Sequence, residues 1–258
     1  MCRGCTLGYP GETHTDDMLE ALLHELQDFH RDNEKGHEWR GQVIQEQAQY
    51  ACAFARKNEL LEETPYSFDQ FEADSELGST SLVRGAEHVV ELDEHSHRIK
   101  KFTLPSGFGL TPKLLHHDQA HADLRPELQR TKPSIEFVPA TPLEYLARWH
   151  ACNELFRDDV QLTTVILWSD RRVSFGITQP QYAGRIPTNA RIEDYFCETM
   201  WARVPNELGH TIFYNYAYDI LALDIEPRNC YLSDDDELLP FDVILSTPDD
   251  DLRNFLKL

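Results

Sequence analysis

Asp224-Ile225-Glu226-Pro227-Arg228-Asn229 sets an acid and an amide five residues apart, with a proline between them. By itself D-x-x-P-x-N is short, and an Asp that caps and a Pro that punctuates occur in ordinary loops. The residues that follow sharpen it. Cys230-Tyr231-Leu232, the acidic turn Ser233-Asp234-Asp235-Asp236 and Leu239-Pro240-Phe241 read as a β-hairpin, which delivers a second acid, Asp242, thirteen residues past Asn229. Acid, amide, hairpin and second acid in that order are more specific than the hexapeptide alone.

Upstream, from about Ser81, the periodicity is that of strands. Ser81–Val83, Val89–Leu92 and Arg98–Thr103 are short runs separated by the turns Arg84-Gly85-Ala86-Glu87 and Asp93-Glu94-His95-Ser96. That pattern predicts an antiparallel meander. Residues 104–140 are rich in proline, show no clear period and read as an irregular insertion. Thr141-Pro142-Leu143-Glu144 is a strong helix start, with Thr as N-cap, Pro at the first helical position and Glu at the third. The helix turns Leu146, Trp149 and Phe156 inward and ends near Asp158. Two more strands, Leu162–Trp168 and Arg172–Thr178, flank Ser169-Asp170-Arg171, and a helix is expected over about Ile192–Val204.

At the other end, residues 1–14 read as a loose tail. Thr15 caps a helical stripe of Met18, Leu19, Leu22, Leu23, Leu26 and Phe29. After the break at Asp32–Gly36 a second helix runs from about Trp39 to Lys57, with Val43, Ile44, Ala48, Ala51 and Ala55 on one face. A helical hairpin of this kind must bury its stripe, either on the main domain or on a partner protein.

The whole pattern resembles the protein-kinase fold, in which five strands and one helix form the first lobe. Asp224–Asn229 is laid out like the end of the kinase catalytic loop H-R-D-L-K-P-E-N, and Asp242 stands where the Asp of D-F-G would. The resemblance is most specific to the small kinase-like domains of phage and mobile-element polyvalent proteins. It is carried by Gly85-Ala86-Glu87-His88, Pro142-Leu143-Glu144-Tyr145-Leu146, Gln179-Pro180 and Asp224–Asn229, and spans about residues 77–248. It implies an α+β chain with a helical appendage over 1–75 and a reduced kinase-like domain over 76–258. The first lobe would cover about 77–178, as a five-stranded antiparallel sheet with one helix, and a reduced second lobe about 179–258.

The same resemblance implies ATP and Mg²⁺ as cofactors and assigns roles. Asp224 would take the proton of the attacking hydroxyl, and Asn229 and Asp242 would hold the metal. Alternation along the third strand puts Ile99 and Lys101 on one face and Lys100 and Phe102 on the other. Lys101, two residues after an apolar residue as in V-A-I-K, would grip the phosphates, with Lys100 the solvated alternative. Its carboxylate partner would be Glu144 or Glu154, with Glu144 favoured for its place near the helix tip. Gly85 would let the backbone approach the phosphates, and the segment 178–181 around Gln179 would meet the adenine edge.

Departures from the family pattern are clear. Ala222-Leu223 replaces His-Arg, Val243-Ile244 replaces Phe-Gly, Glu226 replaces the usual Lys, and 16 residues follow Asp242. A peptide-docking platform has little material. The expected function is an ATP- and Mg²⁺-dependent phosphotransferase acting on an unidentified hydroxyl. The rival expectations are a pseudokinase that binds nucleotide without turnover and an interaction protein acting through the N-terminal helices.

Composition narrows the partners. A net charge of −21 opposes nucleic acid as the main partner, since such binding neutralises phosphates with Lys and Arg. No run of about 18 apolar residues suggests a membrane span, and no secretory signal opens the chain, so a cytoplasmic location is expected. The six cysteines read as free thiols. Cys2-x-x-Cys5 lacks a second such pair, and the histidines at 95, 97, 116, 117 and 121 lack Cys or firm carboxylate partners, so neither reads as a metal site.

Overall fold

The computed structural model describes residues 16–33, 39–77, 82–93, 96–115, 133–206 and 211–258. The tail with Cys2 and Cys5, the histidines at 95, 116, 117 and 121, and residues 34–36 of the expected break lie outside them.

Helices α1 (Asp16–Asn33) and α2 (Arg40–Lys57) form where the apolar spacing predicts. Leu19, Leu22, Leu23 and Leu26 of α1 are buried with Ala48, Ala51 and Ala55 of α2. Phe29 packs on Tyr50 at 4.7 Å between ring centroids, and the Tyr50 hydroxyl donates to Glu25 at 2.6 Å. This core continues without a break through Leu146 and Trp149 of α4 (Pro142–Phe156) into Leu162, Val165, Phe175 and Ile177 of β7 (Gln161–Leu167) and β8 (Val173–Pro180). Burying a leucine contributes about 1.5–3 kcal/mol, so the four from α1 together are worth on the order of 6–12 kcal/mol as an upper figure. That is comparable to the whole stability of a typical domain, which makes the helical pair integral to the core.

The main sheet runs β1-β7-β8-β4-β3-β2, with β1 (Leu61–Glu63), β2 (Leu82–Arg84), β3 (His88–Asp93) and β4 (Arg98–Thr103). The β2–β3–β4 meander forms, and β4 pairs antiparallel with β8 and β8 with β7. The expected five antiparallel strands are therefore extended to six, because β1 adds itself parallel to β7. Three residues carry no readable strand period, and only the edge of β7, brought beside the end of α2, recruits them. Helix α3 (Phe68–Leu77) then sets Phe68 and Phe71 against Trp168, each at 5.3 Å.

The insertion is not wholly irregular. Leu110–Leu115 (β5) and Ser134–Pro139 (β6) pair antiparallel over six residues. Pro112 and Pro139 sit in this two-stranded ladder, where a missing N–H costs little because each strand has a free edge. The second apolar cluster joins Ile135 of β6 to Ile212, Leu221, Leu223, Ile244 and Leu252. The hairpin thus straps the first sheet to the second, and Lys113 Nζ meets Asp249 Oδ2 at 2.9 Å.

That second sheet has the order β14-β11-β10-β9, from β9 (Ala202–Arg203), β10 (Phe213–Asn215), β11 (Ile220–Leu223) and β14 (Ile244–Ser246). The hairpin β12 (Cys230–Leu232) and β13 (Leu238–Pro240) forms as read. Helix α5 (Asn189–Glu198) is shorter than the expected Ile192–Val204: Thr199 caps it, Met200 takes φ +67°, and Ala202–Arg203 leave to pair with β10. Helix α6 (Asp250–Leu256) follows with Asp249 as its N-cap. The chain is of mixed α+β class. Among the described residues no helix is long and apolar enough to cross a membrane.

Candidate functional site

Between the main sheet and the second sheet lies a cleft of about 850 Å³, within the size range of ligand pockets. Gly85, Lys101, Asp224, Asn229 and Asp242 all line it. Lys101 sits in the middle of β4, whose alternation turns it inward; it is 6% exposed. Its Nζ lies 3.2 Å from Asp242 Oδ1 and 5.0 Å from the centroid of the Trp149 ring.

Asp242 follows β13 and is held at three successive carbonyls. Gln179 Nε2 donates to Phe241 O at 2.8 Å, Arg148 Nη2 to Asp242 O at 3.4 Å, and Arg148 Nε to Val243 O at 3.2 Å. The backbone N–H of Phe241 also donates to Asn229 O at 3.0 Å, which ties the amide-bearing loop to the Asp242 segment. Burial alone would raise the Asp242 carboxyl, but the Lys101 ammonium and the Arg148 guanidinium outweigh it and hold the group below the usual carboxylate range. It is a carboxylate at neutral pH.

Asp224 adopts φ +54°, a left-handed conformation that Asp tolerates better than most side chains. A tight local network keeps it there. Its carbonyl accepts from Glu226 N at 3.1 Å and from Asn229 Nδ2 at 2.7 Å, while Asn229 Nδ2 also reaches its Oδ2 at 2.9 Å. Arg228 Nη2 meets the other oxygen, Oδ1, at 3.0 Å. Pro227 opens the 3-10 turn Pro227–Asn229 that sets this spacing. Strained backbone of this kind concentrates at functional sites.

The carboxylate expected to hold Lys101 does not. Glu144 completes the capping box, accepting from Thr141 N at 2.8 Å, and pairs with Arg40 of α2 and with Lys113 Nζ at 3.7 Å. It faces away from the cleft, and Glu154 is exposed. One turn further along α4 stands a cation instead. Arg148 is 3% exposed and its Nη1 meets Glu87 Oε2 at 2.6 Å, with Nη2 3.7 Å from Asp242 Oδ1. Glu87 comes from the Gly85 turn and also accepts from Leu110 N at 2.8 Å. Beside it His88 Nε2 contacts the Tyr145 hydroxyl at 2.9 Å; burial and the Lys101 charge depress its pKa well below the ordinary value, so the imidazole is neutral.

Gln179 is a strand residue opposite Ile99 of β4, 1% exposed and not among the residues lining the cleft, and its side chain reaches the Asp242 segment through Phe241 O. It also donates to Asp158 at 3.2 Å, while its own Oε1 is buried without a partner. Arg148 is the main participant that sequence reasoning passed over. Its signal was legible: a guanidinium between Tyr145 and Trp149 on the buried stripe of a helix demands a partner.

Among the described residues no group of three or more His, Cys, Asp or Glu side chains gathers around one point. The donor set at the cleft is instead two carboxylates, Asp224 and Asp242, and the Asn229 amide. With its nitrogen committed to Asp224, Asn229 has its oxygen left for a cation. These are oxygen ligands that suit a hard divalent ion completed by phosphate oxygens and water. Comparisons of the chain with protein-family models, with characterised proteins and with solved structures returned no match.

Proposed function

We propose that this chain is a reduced kinase-like phosphotransferase that binds ATP with Mg²⁺ and transfers its terminal phosphoryl group to a hydroxyl. One observation carries the reading: Lys101, from a distant part of the sequence, lines a single cleft with Asp224, Asn229 and Asp242 behind the Gly85 turn. Lys101 would neutralise phosphate charge, and Asn229 with Asp242 would hold the metal. Asp224 accepts the proton of the attacking hydroxyl. Mg²⁺ held there would supply positive charge that a chain at −21 otherwise lacks. The test is calorimetric titration with ATP, with and without Mg²⁺, followed by an assay of labelled γ-phosphate transfer. Absence of Mg²⁺-dependent ATP binding overturns the reading.

A second reading has its own support. Both Asp224 carboxylate oxygens are already engaged, by Arg228 and Asn229, which suits a pseudokinase that binds nucleotide without turnover. Binding of Mg·ATP with no transfer to protein, small molecule or water would select it.

A further inference from the structure

We propose, resting on the phosphotransferase reading, that Arg148 is a positioning residue that makes Asp242 a one-oxygen ligand and so sets the metal site's preference for Mg²⁺ over Ca²⁺. Two cations share a single carboxylate oxygen. Lys101 Nζ lies 3.2 Å and Arg148 Nη2 3.7 Å from Asp242 Oδ1, while Oδ2 has no hydrogen bond or ion pair among the described residues. The Asp242 side chain is 40% exposed and lines the cleft, so Oδ2 is the oxygen left for a metal ion. Were Lys101 to engage the phosphates, as the phosphotransferase reading has it, Arg148 would be the cation that keeps Oδ1 occupied.

The guanidinium fixes more than the carboxylate. Nη2 also donates to Asp242 O at 3.4 Å and Nε to Val243 O at 3.2 Å, so one planar fork holds both the side chain and the main chain of the same segment. Nη1 is anchored on Glu87 Oε2 at 2.6 Å. Glu87 lines the cleft too, so Arg148 keeps a second carboxylate committed. With Arg148 only 3% exposed, water cannot readily replace these contacts. The consequence is a choice of ion. Mg²⁺ demands near-octahedral geometry and takes few protein oxygens beside phosphate and water, whereas Ca²⁺ takes about six to eight oxygens and accepts both from one carboxylate. Asp242 Oδ2 and the Asn229 side-chain oxygen offer one atom each from a stiff frame, since Phe241 N donates to Asn229 O at 3.0 Å. Without Arg148, Asp242 is free to turn and offer both oxygens, with Glu87 uncommitted nearby. That arrangement suits Ca²⁺.

The experiment is calorimetric titration of the full chain with the β,γ-imido analogue of ATP in the presence of either Mg²⁺ or Ca²⁺, so that binding is read without turnover. The wild type should bind the analogue at least about tenfold more tightly with Mg²⁺ than with Ca²⁺, and Arg148→Met should narrow that ratio to within about threefold. The ratio is the informative quantity. Loss of a positive charge favours both divalent ions alike and a loosened fold weakens both alike, so a merely structural role for Arg148 leaves it unmoved. Arg148→Met combined with Glu87→Gln carries no stranded carboxylate, which keeps the test available if the single variant folds poorly, and a narrowed ratio there comes from Asp242 alone. An unchanged ratio in the double variant, or a wild type with no preference for Mg²⁺, would overturn the inference while leaving nucleotide binding in place. Failure of Mg²⁺-dependent binding of ATP itself would instead remove the phosphotransferase reading, and this inference with it.

Discussion

Replacing Arg148 by Met keeps the length and apolar stem of the side chain and removes its charge. In the native protein the guanidinium is 3% exposed, bonds Glu87 at 2.6 Å and lies 4.8 Å from the Trp149 centroid. Burial opposes its charge, but Glu87 and Asp242 more than compensate and raise its pKa above the ordinary arginine value. Without it, the Glu87 carboxylate, only 12% exposed, keeps a single backbone donor from Leu110, and the carbonyls of Asp242 and Val243 lose theirs. Breaking one side of a buried ion pair costs about 3–5 kcal/mol. For a chain of this length that is roughly a 6–20 °C loss in Tm. Glu87→Gln in the Arg148→Met background removes the stranded charge, so the double variant should recover on the order of 2 kcal/mol relative to the sum of the single losses. Urea unfolding followed by circular dichroism, run on the four proteins of the cycle, reads this directly. A single-variant loss below about 1 kcal/mol, or strict additivity in the cycle, would refute the claim that the pair is a buried, coupled clamp.

Three other outcomes are expected. Burial, opposed by hydrogen bonds from Tyr182 and Gln179, raises the Asp158 carboxyl from 3.8 to about 6. The folded state therefore holds this proton more tightly than the unfolded one: the contribution is full below about pH 4 and is lost as pH rises through about 6. Stability of the wild type relative to Asp158→Asn should accordingly fall by up to roughly 3 kcal/mol between pH 4 and 7, and a pH-independent difference in urea unfolding would contradict this. Asp242→Ala should abolish Mg²⁺-dependent ATP binding, whereas Asp224→Ala should leave ATP affinity nearly intact and cut transfer, because a base acts on the acceptor. Equal losses of ATP affinity in calorimetry would mean the roles are misassigned. Thr141→Ala removes the acceptor that serves Glu144 N at 3.2 Å and should cost about 1 kcal/mol in chemical denaturation; a neutral result would show that Glu144 and Arg40 hold the α4 start without it.

Much of this protein is written locally. The Thr141–Glu144 cap, the stripes of α1 and α2, the β2–β3–β4 meander and the hairpin before Asp242 follow from neighbours a few residues apart, so periods of 2 and 3.6 and turn chemistry suffice to read them. Alternation put Lys101 and Lys100 on opposite faces, and the resemblance to V-A-I-K chose Lys101, which the fold buries. Other features depend on groups that meet only after the chain has folded. Leu61–Glu63 becomes a strand because β7 offers an edge, and Leu110–Leu115 pairs with Ser134–Pro139 where a second sheet offers its leucines and isoleucines as a floor. The identity of the helix residue at the cleft was decided in the same way. Glu144 and Arg148 are one turn apart on α4, and nothing local separates their roles. Arg40, 104 residues away in sequence, draws Glu144 outward, while Glu87 and the carbonyls beside Asp242, 61 and about 95 residues away, draw Arg148 inward. A buried charge takes whichever partner the tertiary structure brings within about 3 Å, and sequence spacing carries no record of that distance.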